Sequence, residues 1–268
     1  MKHTFLSLLV SMPLIVLAQA PTLEGYVIEG RFNTFTTDEL GNVYAVQGDE
    51  LRLFDARGRS WLRNSTKTFG RIGSIDAFYS LKPMLFAAEQ GQIAVLDNTL
   101  SLQGSVINLP SMGFPQVTSA CMSVQNHFWF FDQRDLALVR VDAQLRLRAT
   151  TGRLDQQLGF APQPTGMCEN ESRLYVNDPA HGILVLDLFG TYMRTLPITG
   201  ASSFEVRGQL LLAFGTNGLQ AYDLRTFELV PITLPTDVGT VRDVRTERGL
   251  LYLLTPERIL VRPLATGN

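Results

Sequence analysis

Few side chains in this sequence are of the types that carry out chemistry on a substrate. Three histidines occur, His3, His127 and His181, and two cysteines, Cys121 and Cys168. A Ser/His/Asp triad would have to draw its base from His127, in the polar turn Gln125-Asn126-His127, or from His181, in Pro179-Ala180-His181-Gly182. Both positions suit exposed turn residues. The sequence contains no Cys-x-x-Cys, His-Glu-x-x-His, Gly-x-Ser-x-Gly, phosphate-loop or EF-hand signature. Carboxylate chemistry is what remains. Three acids, Asp76, Glu205 and Asp243, fall at roughly equivalent places in the repeat described next, together with Thr36, Cys121 and Cys168. Acids converging on one axis would suit a hard divalent cation, which takes about six to eight oxygen ligands. Two thiols among the six positions suit such a cation poorly. Solvated acids lining a channel are therefore the preferred reading, and no metal or other cofactor is expected.

The elements that position these residues repeat. Five segments read as a strand, a tight polar turn and a second strand ending in Asp: 42–55, 84–97, 127–142, 173–187 and 210–223. Their terminal residues, Asp55, Asp97, Asp142, Asp187 and Asp223, lie 42, 45, 45 and 36 residues apart, which is the spacing of propeller blades. An Asp opening a β-turn accepts bonds from the amides just beyond it, so these five are turn formers. A sixth hairpin, 250–263, lacks the Asp. Further strand-like runs precede and follow each hairpin, giving four short antiparallel strands per unit. Such a sheet buries little alone, but six stacked around an axis cover both faces of each. The expected fold is all-β: a six-bladed β-propeller of four-stranded antiparallel blades. The sixth unit runs out of sequence, so Gly25–Arg31 is expected to close the ring by pairing antiparallel with Ile259–Arg262.

The stretch Leu174 to Leu196, with its two aspartates, its small turn and its basic outer strand, resembles an NHL-type repeat. The whole ring is similar to exported six-bladed propellers of Gram-negative bacteria with NHL-like or TolB-like repeats. The resemblance implies fold and compartment and brings no activity with it, because such propellers serve many functions.

The expected domains are a signal peptide over residues 1–20 and one propeller over 21–268. Met1-Lys2-His3 is a basic n-region, Thr4–Leu17 an apolar run, and Ala18-Gln19-Ala20 a small-x-small cleavage site. The protein is thus expected in the periplasm or secreted, with no membrane insertion after cleavage. The mature chain would hold 22 basic and 25 acidic residues, a balance that argues against nucleic acid. Cys121 and Cys168 fall on innermost strands of neighbouring blades. A disulfide between them would need Cα atoms within about 7 Å, and adjacent inner strands are often wider apart, so two small buried core thiols are the preferred reading.

Loop lengths point to a binding surface. Two blade-to-blade connections, 108–115 and 152–162, are long, and each carries a Gly-Phe before a Pro. These connections emerge on the same face as the turns Asp132–Asp135 and Asn177–His181. The expected site therefore comprises Phe114, Gln133, Arg134, Asp135, Phe160, Asp178 and His181, unless Phe114 and Phe160 tuck under the rim and plug gaps between blades. The function expected is non-enzymatic binding or scaffolding in the cell envelope, with a protein or glycan partner. The alternative is a metal-dependent lactonase- or lyase-like enzyme at the channel mouth, using Asp76, Glu205 and Asp243.

Overall fold

The computed structural model describes residues 25–65, 69–77 and 82–264. The expected leader lies outside the described residues. The chain is a six-bladed β-propeller, each blade a four-stranded antiparallel sheet. Blades one to five begin with the innermost strands Thr34–Thr37, Ser74–Asp76, Val117–Ser123, Gly166–Asn170 and Ala201–Arg207. Blade six begins with Asp243–Glu247, and its outer strand comes from the other end of the chain. Tyr26–Glu29 pairs antiparallel with Arg258–Pro263, matching Tyr26 to Val261 and Ile28 to Ile259. The latch is as the sequence implies: among the described residues blade six contributes three strands from the C-terminal part of the chain, and the N-terminal strand is its fourth.

The middle strands explain why their sequences run apolar without alternation. A strand sandwiched between two neighbours is buried on both faces. In His127–Asp132, Phe128 and Phe130 pack towards blade two, while Trp129 and Phe131 pack towards blade four. Six apolar clusters recur in this way, one at each junction between adjacent blades. Every blade thus depends on both neighbours for its core.

The repeated aspartates act as turn formers. Asp55, Asp97, Asp142 and Asp187 each accept, through Oδ1, the backbone N–H groups of the second and fourth residues beyond. Asp223 accepts those of the second and third. Each carboxylate fastens the turn from its blade's third strand to its outer strand.

Candidate functional site

The innermost strands of all six blades enclose a central channel of about 400 Å³. Register fixes which side chains share a level. Thr36 pairs with Tyr44, Asp76 with Met84, Cys121 with Trp129, Cys168 with Tyr175 and Glu205 with Leu212. In blade six the equivalent residue is Arg245, paired with Tyr252; Asp243 stands two residues earlier, opposite Leu254. The sequence alignment is corrected here. A two-residue offset preserves which way a strand's side chains face, so periodicity alone gave no warning of it.

The three acids do not meet; each is taken up by its surroundings. Asp76 accepts the backbone N–H of Met122 in blade three at 2.8 Å. Glu205 accepts the N–H and the hydroxyl of Thr246 in blade six, both at 2.6 Å. Asp243 accepts from its neighbour Arg245 at 2.8 Å. A fourth acid, Glu169, reaches back from blade four onto blade three, where Ser123 Oγ, Val124 N and Trp129 Nε1 donate to it. Asp76, Glu169 and Glu205 join adjacent blades, whereas Asp243 is held within its own strand. Among the described residues no group of three His, Cys, Asp or Glu side chains is placed to hold a metal. Burial pushes the Glu205 carboxyl above its ordinary range, while Arg207, Arg245 and the Thr246 donors pull it back.

Both cysteines are free thiols. Cys121 packs between blades three and four, and Cys168 between blades four and five. Equivalent positions face the same way around the ring, so the two side chains lie on opposite sides of the blade-four inner strand. Burial raises both thiols above their ordinary range, which leaves them poor nucleophiles.

The loop residues singled out from the sequence form a continuous sector on blades three and four. Gln133 donates its N–H to Gln116 O at 2.9 Å, joining the blade-three turn to the connection that carries Phe114. Leu154 donates to Leu136 O at 2.9 Å, joining that turn to the next connection. Gln163 donates to Asp178 Oδ2 at 2.9 Å, reaching the blade-four turn. Gln133, Arg134, Asp135 and His181 are exposed. Asp178 is buried beneath them and accepts the N–H groups of Ala180 and His181. Its Oδ1 also lies 3.1 Å from His181 Nδ1, which fixes the imidazole. Phe160 stacks on that imidazole at 3.6 Å between ring centres and 12° between planes. Phe114 meets Phe130 edge-on at 4.6 Å. Both phenylalanines are half-buried and pack against interblade cores.

The sequence missed two features of this sector. The second connection holds a short α-helix, Leu154–Leu158, whose two leucines pack into the core between blades three and four. Their i, i+4 spacing was the available signal, but it covers a single turn. Glu169 was also passed over, because its partners lie about 40 residues away in another blade.

No protein-family model matches the sequence, and no curated protein matches it. Solved structures do match in shape. A catalytically inactive His-to-Ala variant of virginiamycin B lyase from Staphylococcus aureus, solved with quinupristin, aligns with TM-score 0.58 at 9% identity, covering 89% of this chain and 98% of that one. BBS1N in complex with ARL6DN aligns at 0.55 and 14% identity, covering 88% and 79%. BamB from Moraxella catarrhalis aligns at 0.50 and 10% identity, covering 87% and 83%. These proteins share its fold. At such identities the likeness extends to architecture alone.

Proposed function

We propose that this protein is a non-enzymatic binding or scaffold module of the cell envelope, exported by its leader and built from NHL-like repeats. It takes a protein or glycan partner on the face formed by blades three and four. The observation that supports this most is the Phe160–His181–Asp178 stack. A buried carboxylate holds an imidazole, the imidazole holds a phenyl ring, and Arg134 and Asp135 stand exposed on the adjoining turn. Aromatic and arginine side chains fixed in this manner concentrate binding energy, because little side-chain entropy is lost on contact. A similar propeller, BBS1N, is complexed with a protein. The near-neutral charge balance of the chain, 23 basic against 25 acidic residues, speaks against a nucleic-acid partner.

The lyase reading gains from the likeness to virginiamycin B lyase, whose inactive variant has lost a histidine. Here the two described histidines sit at blade turns, and no described residue lining the channel is a histidine. Of the channel acids, Asp76, Glu169 and Glu205 are engaged in joining blades and Asp243 is paired with Arg245. Binding is therefore the stronger reading.

The test is capture from the cell envelope with the wild type and with an Arg134→Glu, Phe160→Ala double variant of unchanged melting temperature. A partner held by the wild type and lost by the variant is expected. Equal capture by both would remove this face from the proposal.

A further inference from the structure

One contact recurs from blade to blade around the channel. Thr36, Asp76, Cys121, Cys168, Glu205 and Arg245 share one level of the ring. From this level a side chain turns towards the next blade and meets the backbone N–H one residue further along that blade's innermost strand. Asp76 meets the N–H of Met122, the residue after Cys121, at 2.8 Å. Glu205 meets that of Thr246, the residue after Arg245, at 2.6 Å. The N–H groups of Glu169 and Val206, which follow Cys168 and Glu205, act in the same way on the sulfurs of Cys121 and Cys168. An innermost strand leaves a row of unpaired amides along the axis, and each of these acceptors satisfies one of them.

The junction from blade six to blade one breaks the pattern. Arg245 stands at the accepting place, and a guanidinium only donates. It faces blade one: its strand partner Tyr252 belongs to the core between these two blades, and its guanidinium lies 5.8 Å from the centre of the Phe35 ring. Thr37, two residues past Phe35 on the same strand, faces the same junction. Thr37 follows Thr36 and so holds the place that Met122 and Thr246 hold in their blades. Asp38 donates its N–H to Asn42 O at 3.1 Å across the hairpin, so the N–H of Thr37 points the other way, to the axis. The Thr37 hydroxyl is buried without a partner. Arg245 donates through Nη1 alone, to Asp243 Oδ1 at 2.8 Å and Val244 O at 2.7 Å. Among the described residues no acceptor meets its Nε or Nη2. Buried polar groups in folded proteins are nearly always paired. Here donors gather from both blades and the acceptor is missing.

Charge narrows what can supply it. The channel is lined by four carboxylates, Asp76, Glu169, Glu205 and Asp243, against two guanidiniums, Arg207 and Arg245. Arg245 is already balanced by Asp243. An anion would meet an excess of negative charge in a ring that concentrates the field. A cation would bring donors to a place already rich in them. An uncharged carbonyl oxygen offers two lone pairs and adds no charge. We propose that the channel binds a small uncharged carboxamide, its carbonyl oxygen seated between Arg245 and Thr37 at the junction of blades six and one. The volume of about 400 Å³ falls within the range of small-molecule sites, roughly 300–1,000 Å³. The mouth is hydroxyl-rich, with exposed Ser74, Thr118, Thr165 and Ser202, so the amide enters without losing its hydrogen bonds. Thr37 lines the channel but is closed to solvent. The ligand oxygen reaches it as the Arg245 side chain, fastened at Nη1 alone, turns aside from Phe35. The channel site is independent of the face on blades three and four.

The experiment is titration of the purified protein, followed by NMR, with three ligands of one size: butyramide, butyrate and butylamine. The amide is expected to bind at least about tenfold more tightly than the anion or the cation. Arg245→Gln places an amide oxygen where the other junctions carry their acceptors, and is expected to weaken butyramide about tenfold. Because Arg245 also holds Asp243, a second variant guards the test. Thr37→Val keeps the side-chain shape and removes a hydroxyl that has no partner. It is expected to melt no lower than the wild type and to bind butyramide several-fold more weakly. Phe160→Ala is expected to leave butyramide binding unchanged. Butyrate or butylamine binding as tightly as the amide, no binding of any of the three, or amide binding that survives both channel variants would overturn the proposal. So would a lower melting temperature for Thr37→Val, which would show that the hydroxyl is already partnered.

Discussion

An aspartate whose carboxylate collects two backbone amides recurs at five blade turns, and Asp142 shows what the arrangement contributes. Burial acts to raise its pKa. The N–H and guanidinium of Arg146, the guanidinium of Arg148 and the N–H of Gln144 outweigh that effect and hold the carboxyl well below its ordinary range. A carboxyl whose pKa is depressed by folding adds stability that is fully present above the unfolded value, about 4. That contribution is lost as pH falls through this value towards the folded one. Asp142→Asn is therefore expected to melt below the wild type at neutral pH, with the gap closing as the pH drops below about 4. Thermal melts across that range check it, and a gap independent of pH would mean that the charge of Asp142 is not what stabilises the turn. These aspartates were legible in the sequence because their partners lie within six residues. Glu169 and Glu205 were less so. Their donors are 40 to 46 residues away, and only the stacking of finished blades brings them together.

Strands and their turns carried most of the legible information. Hairpins joined by short polar turns state their own pairing, and the blade lacking a fourth strand pointed to the N-terminal segment as its complement. The latch buries Ile28 at 2% exposure among Phe32, Tyr252 and Ile259. Burial of one such side chain contributes about 1.5–3 kcal/mol, and the strand also covers an edge that would otherwise be open to pairing with other chains. Deleting residues 21–31 is expected to give an insoluble or strongly destabilised protein, read by sedimentation and by the melting temperature. A soluble truncation that melts like the chain with residues 21–31 present would show that the ring holds without its latch. Connections were less legible than strands. The helix Leu154–Leu158 is too short to show a period, and it is ordered by the blades beneath it. The half-burial of Phe114 and Phe160 likewise depends on the cores that receive them, Phe130 for the first and the His181 stack for the second.

At the scale of the whole ring, the channel acids divide two readings of the molecule. In one they form a cation site at the axis; in the other they fasten blade to blade. Asp76 ties blade two to blade three, Glu169 ties blade four to blade three, and Glu205 ties blade five to blade six. Arg242 of blade six adds a fourth tie, donating to Phe32 O beside blade one. A divalent cation at the axis would have to draw Asp76 and Glu205 away from donors at 2.8 and 2.6 Å, leaving buried amides without acceptors. Each such orphan costs about 1–3 kcal/mol, and this cost opposes whatever the ion gains. A cation that bound despite it would still stabilise the fold by mass action, by about 2.7 kcal/mol at a hundred times its dissociation constant. For a domain of this size that corresponds to a rise in Tm of several degrees, roughly 5 °C. The melting temperature is expected to be the same in millimolar Ca²⁺, in millimolar Mn²⁺ and in chelator. A rise of several degrees with either ion, removed by Asp76→Asn, would show that the acids leave their neighbours for the metal, and would move the enzyme reading ahead of the binding one.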